Sequence, residues 1–343
     1  SDLTRMNPRR GLKIPEIKVT VSVQESERHA VIPSIARVCG WLLLWMAVLV
    51  PGGWVLDAQD VAPGRSRFCE QRRVEYIVGN LPVILSAPHG GGLAPSTIPD
   101  RKRGTLVTDA FTDRLAREIA RAFYKQTGRF PHVIICHLKR TKVDCNRSLE
   151  EATEGDPAAQ RVWNGFHGFI DDARKAVLKA EGRGLYIDLH GHGHPEARLE
   201  LGYLIKNTEL ALNAKKLESL EARSSIRGLS SRSQTSFVER LRGRSSFGGL
   251  IQRLGYAAVP SPAFPHPGKA KYFRGGYNTA RYGSKDGGAI SGFQVECHRK
   301  GVRDTDVNRK AFARAFAAAV NEYLRIHCGL DIRKKRGRTR SAR

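Results

Sequence analysis

Apolar residues recur at helical spacing in three long stretches. Phe111, Leu115, Ile119 and Phe123 step by four within residues 109–125, with Thr108 placed to cap the start and Gly128 to end it. Val162, Phe166, Phe169, Ala173 and Val177 mark a second helix, ended by Gly182. Phe312, Phe316, Val320 and Leu324 form one stripe of a third, over residues 307–326, which Gly329 stops. Between them lie short apolar runs that read as strands, at 74–78, 83–87, 133–138, 185–189, 201–205 and 293–297. Gly79-Asn80 between the first two is a hairpin signal. Residues 210–220 carry a weaker helical pattern, and 246–254 a short helix before Gly255. Strands alternating with helices predict an α/β fold: a three-layer sandwich with a central mixed, mostly parallel sheet and helices on both faces.

The first 59 residues stand apart as an N-terminal extension. Residues 38–50, VCGWLLLWMAVLV, are uncharged and almost wholly apolar, with Arg28, His29 and Arg37 before them. A membrane span needs about twenty such residues. Length and flanks fit a signal-peptide core, with a small-residue cleavage site at Ala58. The alternatives are an uncleaved anchor, the one route by which a membrane would become a partner, or a buried helix. Export to a periplasmic or extracellular setting follows from the first reading. It would leave Cys69, Cys136, Cys145, Cys297 and Cys328, with no CxxC pair and no assignable disulfides.

The 343-residue chain is 41% hydrophobic and 27% charged, which excludes wholesale disorder and leaves ample length for a core. Its formal net charge of +25 changes the picture more. Residues 333–343 hold seven basic and no acidic side chains, residues 1–59 seven basic and five acidic, so most of the excess lies between. Such a surface attracts polyanions and acidic substrates. No zinc-finger spacing, RNP-type aromatic motif or basic heptad is present, so no specific nucleic-acid partner is expected. Residues 60–330 are expected to form the catalytic domain and 331–343 a solvated basic tail.

Chemistry-bearing residues gather just past the strands, where ligands of α/β sheets bind. His89 follows the 83–87 strand and precedes Gly90, Gly91 and Gly92. It is either a ligand facing a cleft or a turn histidine whose glycines supply positive φ. Asp188 and His190 share one face of a strand end, so the carboxylate can orient the ring of a metal ligand. The other reading of DLHGHGH is a solvent-facing loop, His192 and His194 included. Two histidines leave a third ligand to find. Asp109 at the start of the first helix is the choice, or it is an ordinary helix-start carboxylate. Arg147, after Asn146, either grips a carboxylate or forms a surface ion pair. Glu296, in an apolar strand, either faces solvent or serves as general base beside an activated water.

At these residues the chain resembles the N-formylglutamate amidohydrolase-like proteins, relatives in fold of the zinc carboxypeptidases. SAPHGG, TDAFTDRLA, VDCNRS, DLHGHGH, FGGLIQRLGYAAVPSP, YFRGGYNTARYGS and GFQVECHRKGVR follow in that family's order, over about residues 68–328. The resemblance implies one zinc ion per chain and hydrolysis of an amide next to a carboxylate-bearing group, in an N-acyl amino acid, N-formylglutamate or a small peptide. It implies His89 and His190 as zinc ligands and Arg147 as substrate clamp. Glu296 would be the general base, and Asn146, Tyr277, Asn278 and Arg303 would line the substrate pocket. One departure is Gly92, which stands where zinc carboxypeptidases carry a glutamate ligand three residues after the first histidine. An exported enzyme suits a small peptide or cell-wall-derived acyl amino acid better than cytosolic N-formylglutamate. The alternative is a non-catalytic protein that keeps this fold and binds polyanions or glycans. A third class, a cysteine nucleophile at Cys297 or Cys145, is disfavoured because Cys297 should face away from Glu296.

Overall fold

The computed structural model describes residues 61–333. The apolar segment at 38–50, the Ala58 site and the basic run from 334 onward lie outside the described residues. Eight strands form one mixed sheet: β1 (Ser66–Cys69), β2 (Val74–Ile77), β3 (Val83–Ala87), β4 (His132–Cys136), β5 (Gly184–Gly191), β6 (Leu199–Gly202), β7 (Ala258–Val259) and β8 (Ile290–Cys297). Their lateral order is β1-β2-β4-β3-β5-β8-β6-β7. The centre, β4-β3-β5-β8, is parallel, and antiparallel pairings flank it on both sides.

The main helices are α1 (Thr112–Thr127), α2 (Pro157–Glu181), α3 (Phe247–Arg253), α4 (Tyr277–Tyr282) and α5 (Asp306–Tyr323). Strand alternation divides the core between two layers. Val83, Leu85, Leu185, Ile187, Phe293 and Val295 pack against Leu115, Ile119 and Phe123 of α1, Phe247 of α3, and Phe312 and Phe316 of α5. Ile84, Ile134 and Tyr186 point the other way, onto Val162, Phe166, Ile170 and Val177 of α2 and Tyr282 of α4. A sheet covered on both faces explains why its central strands read as continuous apolar runs. Among the described residues no helix is long and apolar enough to cross a membrane.

Three expectations need correction. Strands β2 and β3 are not a hairpin, because β4 lies between them. Gly79 sits against the entry to β4, where an added Cβ would lie 2.3 Å from the His132 backbone nitrogen. The glycine answers a close approach of chains, not a two-residue turn. The true hairpin is β1–β2, turned through Glu70, Gln71 and Arg72, all at positive φ. Helix α1 starts at Thr112, three residues later than the apolar pattern suggests, and Thr108 does not cap it. The Asp109 backbone N–H is held instead by the His89 carbonyl at 3.0 Å, and Phe111 at φ 70° breaks the path between. The weak pattern at 210–220 resolves into two single turns, Asn207–Leu210 and Ala214–Glu218.

Candidate metal centre

The carboxyl ends of β3, β5 and β8 converge on a cleft of about 450 Å³. His89 enters from the loop after β3, Asp109 from the segment before α1, and His190 from the end of β5. His89 lines the cleft, as its glycines implied, although it is fully buried from solvent. Those glycines supply space: an added Cβ at Gly90 would lie 2.4 Å from the Asp113 backbone nitrogen, and one at Gly91 2.2 Å from the His137 carbonyl carbon.

Three atoms face one another. His89 Nδ1 lies 3.1 Å from His190 Nδ1, His190 Nδ1 lies 3.1 Å from Asp109 Oδ2, and His89 Nδ1 lies 3.4 Å from the same oxygen. Zinc bonds of about 2.0–2.1 Å in tetrahedral geometry set ligand atoms about 3.3 Å apart, so this triangle has the size of one face of a zinc tetrahedron. Each ring is held from behind. His89 Nε2–H donates to Asp144 Oδ1 at 2.6 Å, and His190 Nε2–H donates to Asp188 Oδ2 at 2.7 Å. That second bond fixes which nitrogen of each ring is left for the centre.

The supports are themselves supported. Asp144 accepts from Arg140 Nε at 2.9 Å and from the Asn146 backbone N–H at 3.0 Å. Asp188, fully buried, accepts from Ser86 Oγ at 2.5 Å. Burial alone would raise the pKa of Asp109, but hydrogen bonds from His190 and His89 outweigh it and hold the carboxyl well below the usual range. Burial likewise opposes charge on His190, yet Asp188 and Asp109 push its pKa well above the ordinary histidine value. The centre selects positive charge, which a proton or a metal ion can provide.

Glu296 stands beside this triangle. The register pairs His190 of β5 with Glu296 of β8, and Glu296 with Glu200 of β6, so the three form one row across the sheet. Gln294 Nε2 donates to Glu296 Oε1 at 2.9 Å, while Oε2 is buried with no partner. Burial, with Asp109, Glu200 and Asp188 outweighing His190, lifts the Glu296 pKa to about 8. Cys297, next along the strand, points into the opposite layer, and burial pushes its thiol upward. The five cysteines of the described residues are all free.

The remaining predicted pocket residues divide. Arg147 lines the cleft, and its guanidinium donates to the Asn146 carbonyl at 2.8 Å. Asn146 also lines it but is buried, its Oδ1 accepting from the Asn278 backbone N–H at 2.8 Å. Tyr277, Asn278 and Arg303 do not line it. Tyr277 opens α4, with its hydroxyl accepting from Arg281. Asn278 is fully buried behind Asp188. Arg303 spends its guanidinium on the carbonyls of Cys297, Ala110 and His192, so it staples three loops and is not free to meet a substrate. His192 is buried, contrary to the solvent-facing expectation, and His194 is half-buried on the cleft wall.

Arg274 was missed. It lines the cleft, and among the described residues neither it nor Arg147 forms an ion pair with a carboxylate. Its signal was a lone cation in the Gly-rich stretch YFRGGYN. Glu200 was missed as well, although it is an acidic residue inside an apolar strand, the same signal that singled out Glu296.

No known protein-family model matches this chain, and no curated protein matches it. Among solved structures, it is similar to N-formylglutamate amidohydrolase from Ralstonia eutropha JMP134. That similarity has 14% identity over 79% of this chain and 100% of the other, with a TM-score of 0.46. It is also similar to the gene product Atu2144 from Agrobacterium tumefaciens, at 15% identity over 75% of this chain and 97% of the other, with a TM-score of 0.42.

Proposed function

We propose that this chain is a zinc-dependent hydrolase that cleaves an amide bond next to a carboxylate-bearing group. The observation that carries the proposal is the Nδ1–Nδ1–Oδ2 triangle of His89, His190 and Asp109, with both rings held from behind by buried carboxylates. The donor set, two imidazoles and one carboxylate with the cleft side open, suits a catalytic zinc, which keeps a position for water or substrate. When bound there, zinc would lower the pKa of a water toward neutrality and polarise the scissile carbonyl.

The chain's own residues supply the rest. Glu296 has a buried, unpartnered Oε2 on the cleft wall, placed to take a proton from the attacking water. The same carboxyl then returns that proton to the departing nitrogen. Arg147 and Arg274 offer two guanidinium groups free of acidic partners, which favours an anionic substrate such as an N-acyl amino acid, N-formylglutamate or a small peptide.

The test is metal content followed by turnover. Purified chain should hold about one zinc, and His89→Ala and His190→Ala should each lose it. Glu296→Gln should keep the metal while hydrolysis of N-formyl and N-acetyl amino acids and dipeptides falls about 10²–10⁴-fold. An unmutated chain that takes up no zinc when supplied would reject the proposal and favour polyanion binding by the same fold.

A further inference from the structure

A second cluster, His192, His194 and Glu200, has the residue types of another metal site, and its two histidines line the same cleft. Its hydrogen bonds argue otherwise. His192 Nδ1 accepts the His194 backbone N–H at 3.2 Å, and its Nε2–H donates to the Arg198 carbonyl at 2.9 Å. Both ring nitrogens of His192 are therefore committed to backbone, and no lone pair is left to join a ligand set.

His194 is different. Its Nδ1 lies 2.7 Å from Glu200 Oε1, and its ring stacks on Phe273 with centroids 4.7 Å apart and an interplanar angle of 18°. Glu200 is fully buried, and its other oxygen accepts the Phe273 backbone N–H at 2.8 Å. One carboxylate thus fixes both the ring and the surface it rests on. Among the described residues Nε2 has no hydrogen-bond partner, and the residue lines the cleft. The imidazole is thus oriented by a buried acid, and its other nitrogen, on a residue of the cleft wall, is left without a protein partner among the described residues.

The row across β5, β8 and β6 places Glu296 between His190 and Glu200. The proton acceptor therefore lies between the metal triangle and the His194–Glu200 pair. Glu296 accounts for the proton, and Arg303, bound to three carbonyls, cannot meet the charge that develops on the carbonyl oxygen. We propose that His194, oriented by Glu200, is a further catalytic residue: as the imidazolium of the His194–Glu200 ion pair it gives Nδ1–H to the carboxylate and donates a hydrogen bond from Nε2–H to that oxygen as the amide is attacked. No bond to His194 forms or breaks, and Glu200 carries the balancing negative charge. The inference rests on the amide-hydrolase reading above.

The experiment compares zinc-loaded unmutated chain, His194→Ala, Glu200→Gln and His192→Ala on the same panel of N-formyl and N-acetyl amino acids and dipeptides. It measures zinc content, kcat and KM for each. His194→Ala should keep about one zinc and a KM within about threefold, while kcat falls about 10²–10³-fold, the loss typical of one oxyanion donor. Glu200→Gln, which preserves shape, should lower kcat in the same sense with zinc unchanged. A nitrogen-resolved imidazole spectrum should show His194 protonated at both ring nitrogens in the unmutated chain and at one in Glu200→Gln, and a ring protonated at Nδ1 alone in the unmutated chain would overturn the inference. Two zinc ions per chain, or zinc loss in His194→Ala, would make the cluster a metal site and overturn the inference. Turnover within threefold in His194→Ala would overturn it while leaving the hydrolase reading intact. An inert, zinc-loaded unmutated chain would overturn both.

Discussion

Two groups of histidine and carboxylate stand a few residues apart in DLHGHGH and its surroundings, and they do different things. In the first, His89 and His190 each give Nε2–H to a buried aspartate, so their Nδ1 atoms meet Asp109 in a triangle with edges of 3.1–3.4 Å. In the second, His192 gives both nitrogens to backbone, and His194 shows a single open nitrogen to the cleft. Residue type is nearly the same in both groups. The partner behind each ring decides whether an imidazole becomes a ligand, a loop brace or a hydrogen-bonding group for a substrate.

The sharpest way to break this contrast is to remove one histidine from each group. His190→Ala should abolish stoichiometric zinc, whereas His192→Ala should retain about one zinc per chain and lose only loop stability. Equal zinc loss in both, by elemental analysis after dialysis, would merge the two groups into one site.

Next in size is the support behind the ring. Asp188→Asn removes the negative charge from the acceptor that lies 2.7 Å from His190 Nε2, and zinc affinity should fall about 10–100-fold in competition with a chelating dye. Unchanged affinity would mean that β5 alone orients the ring.

A smaller effect belongs to the cations on the cleft wall. Arg147→Ala should raise KM about 10–100-fold for a carboxylate-bearing substrate, with a lesser change in kcat, because a charged hydrogen bond contributes about 1.5–3 kcal/mol. A neutral amide of the same substrate should show no such penalty, and an equal penalty for both would dissociate Arg147 from the carboxylate.

The smallest effect sharpens the role of Glu296 in the chelated protein. Its folded pKa, raised by burial from 4.5 to about 8, stabilises the chain fully below 4.5, and this contribution is lost as pH rises through 8. Urea midpoints of the chelated chain should therefore fall across that window more steeply than those of Glu296→Gln. Parallel curves would take Glu296 out of the titration.

Much of the layer architecture was readable from spacing. The stripes of α1, α2 and α5 and the apolar runs of the strands follow from burial on one helix face or both sheet faces, which is a local property of the pattern. Strand order was not readable, because which strand pairs with which depends on contacts far apart in sequence. The Gly79-Asn80 dipeptide looks the same whether it turns a hairpin or makes room for His132. At the centre, the residues of DLHGHGH and Glu296 stood out as polar groups in apolar strands. Asp109 was singled out without its reason, since its backbone bond to His89 removes it from the helix it seemed to start.

By itself the sequence determined the layers, the concentration of histidines and carboxylates past the strand ends, and the opposite facing of Glu296 and Cys297, because all three follow from the periods of helix and strand. Only the tertiary structure decided that His89, Asp109 and His190 meet within 3.4 Å, that Arg303 braces loops while Arg147 and Arg274 face the cleft, and that Glu200 stands behind His194. Those outcomes depend on which strands the folded sheet makes neighbours, and no local pattern records that choice.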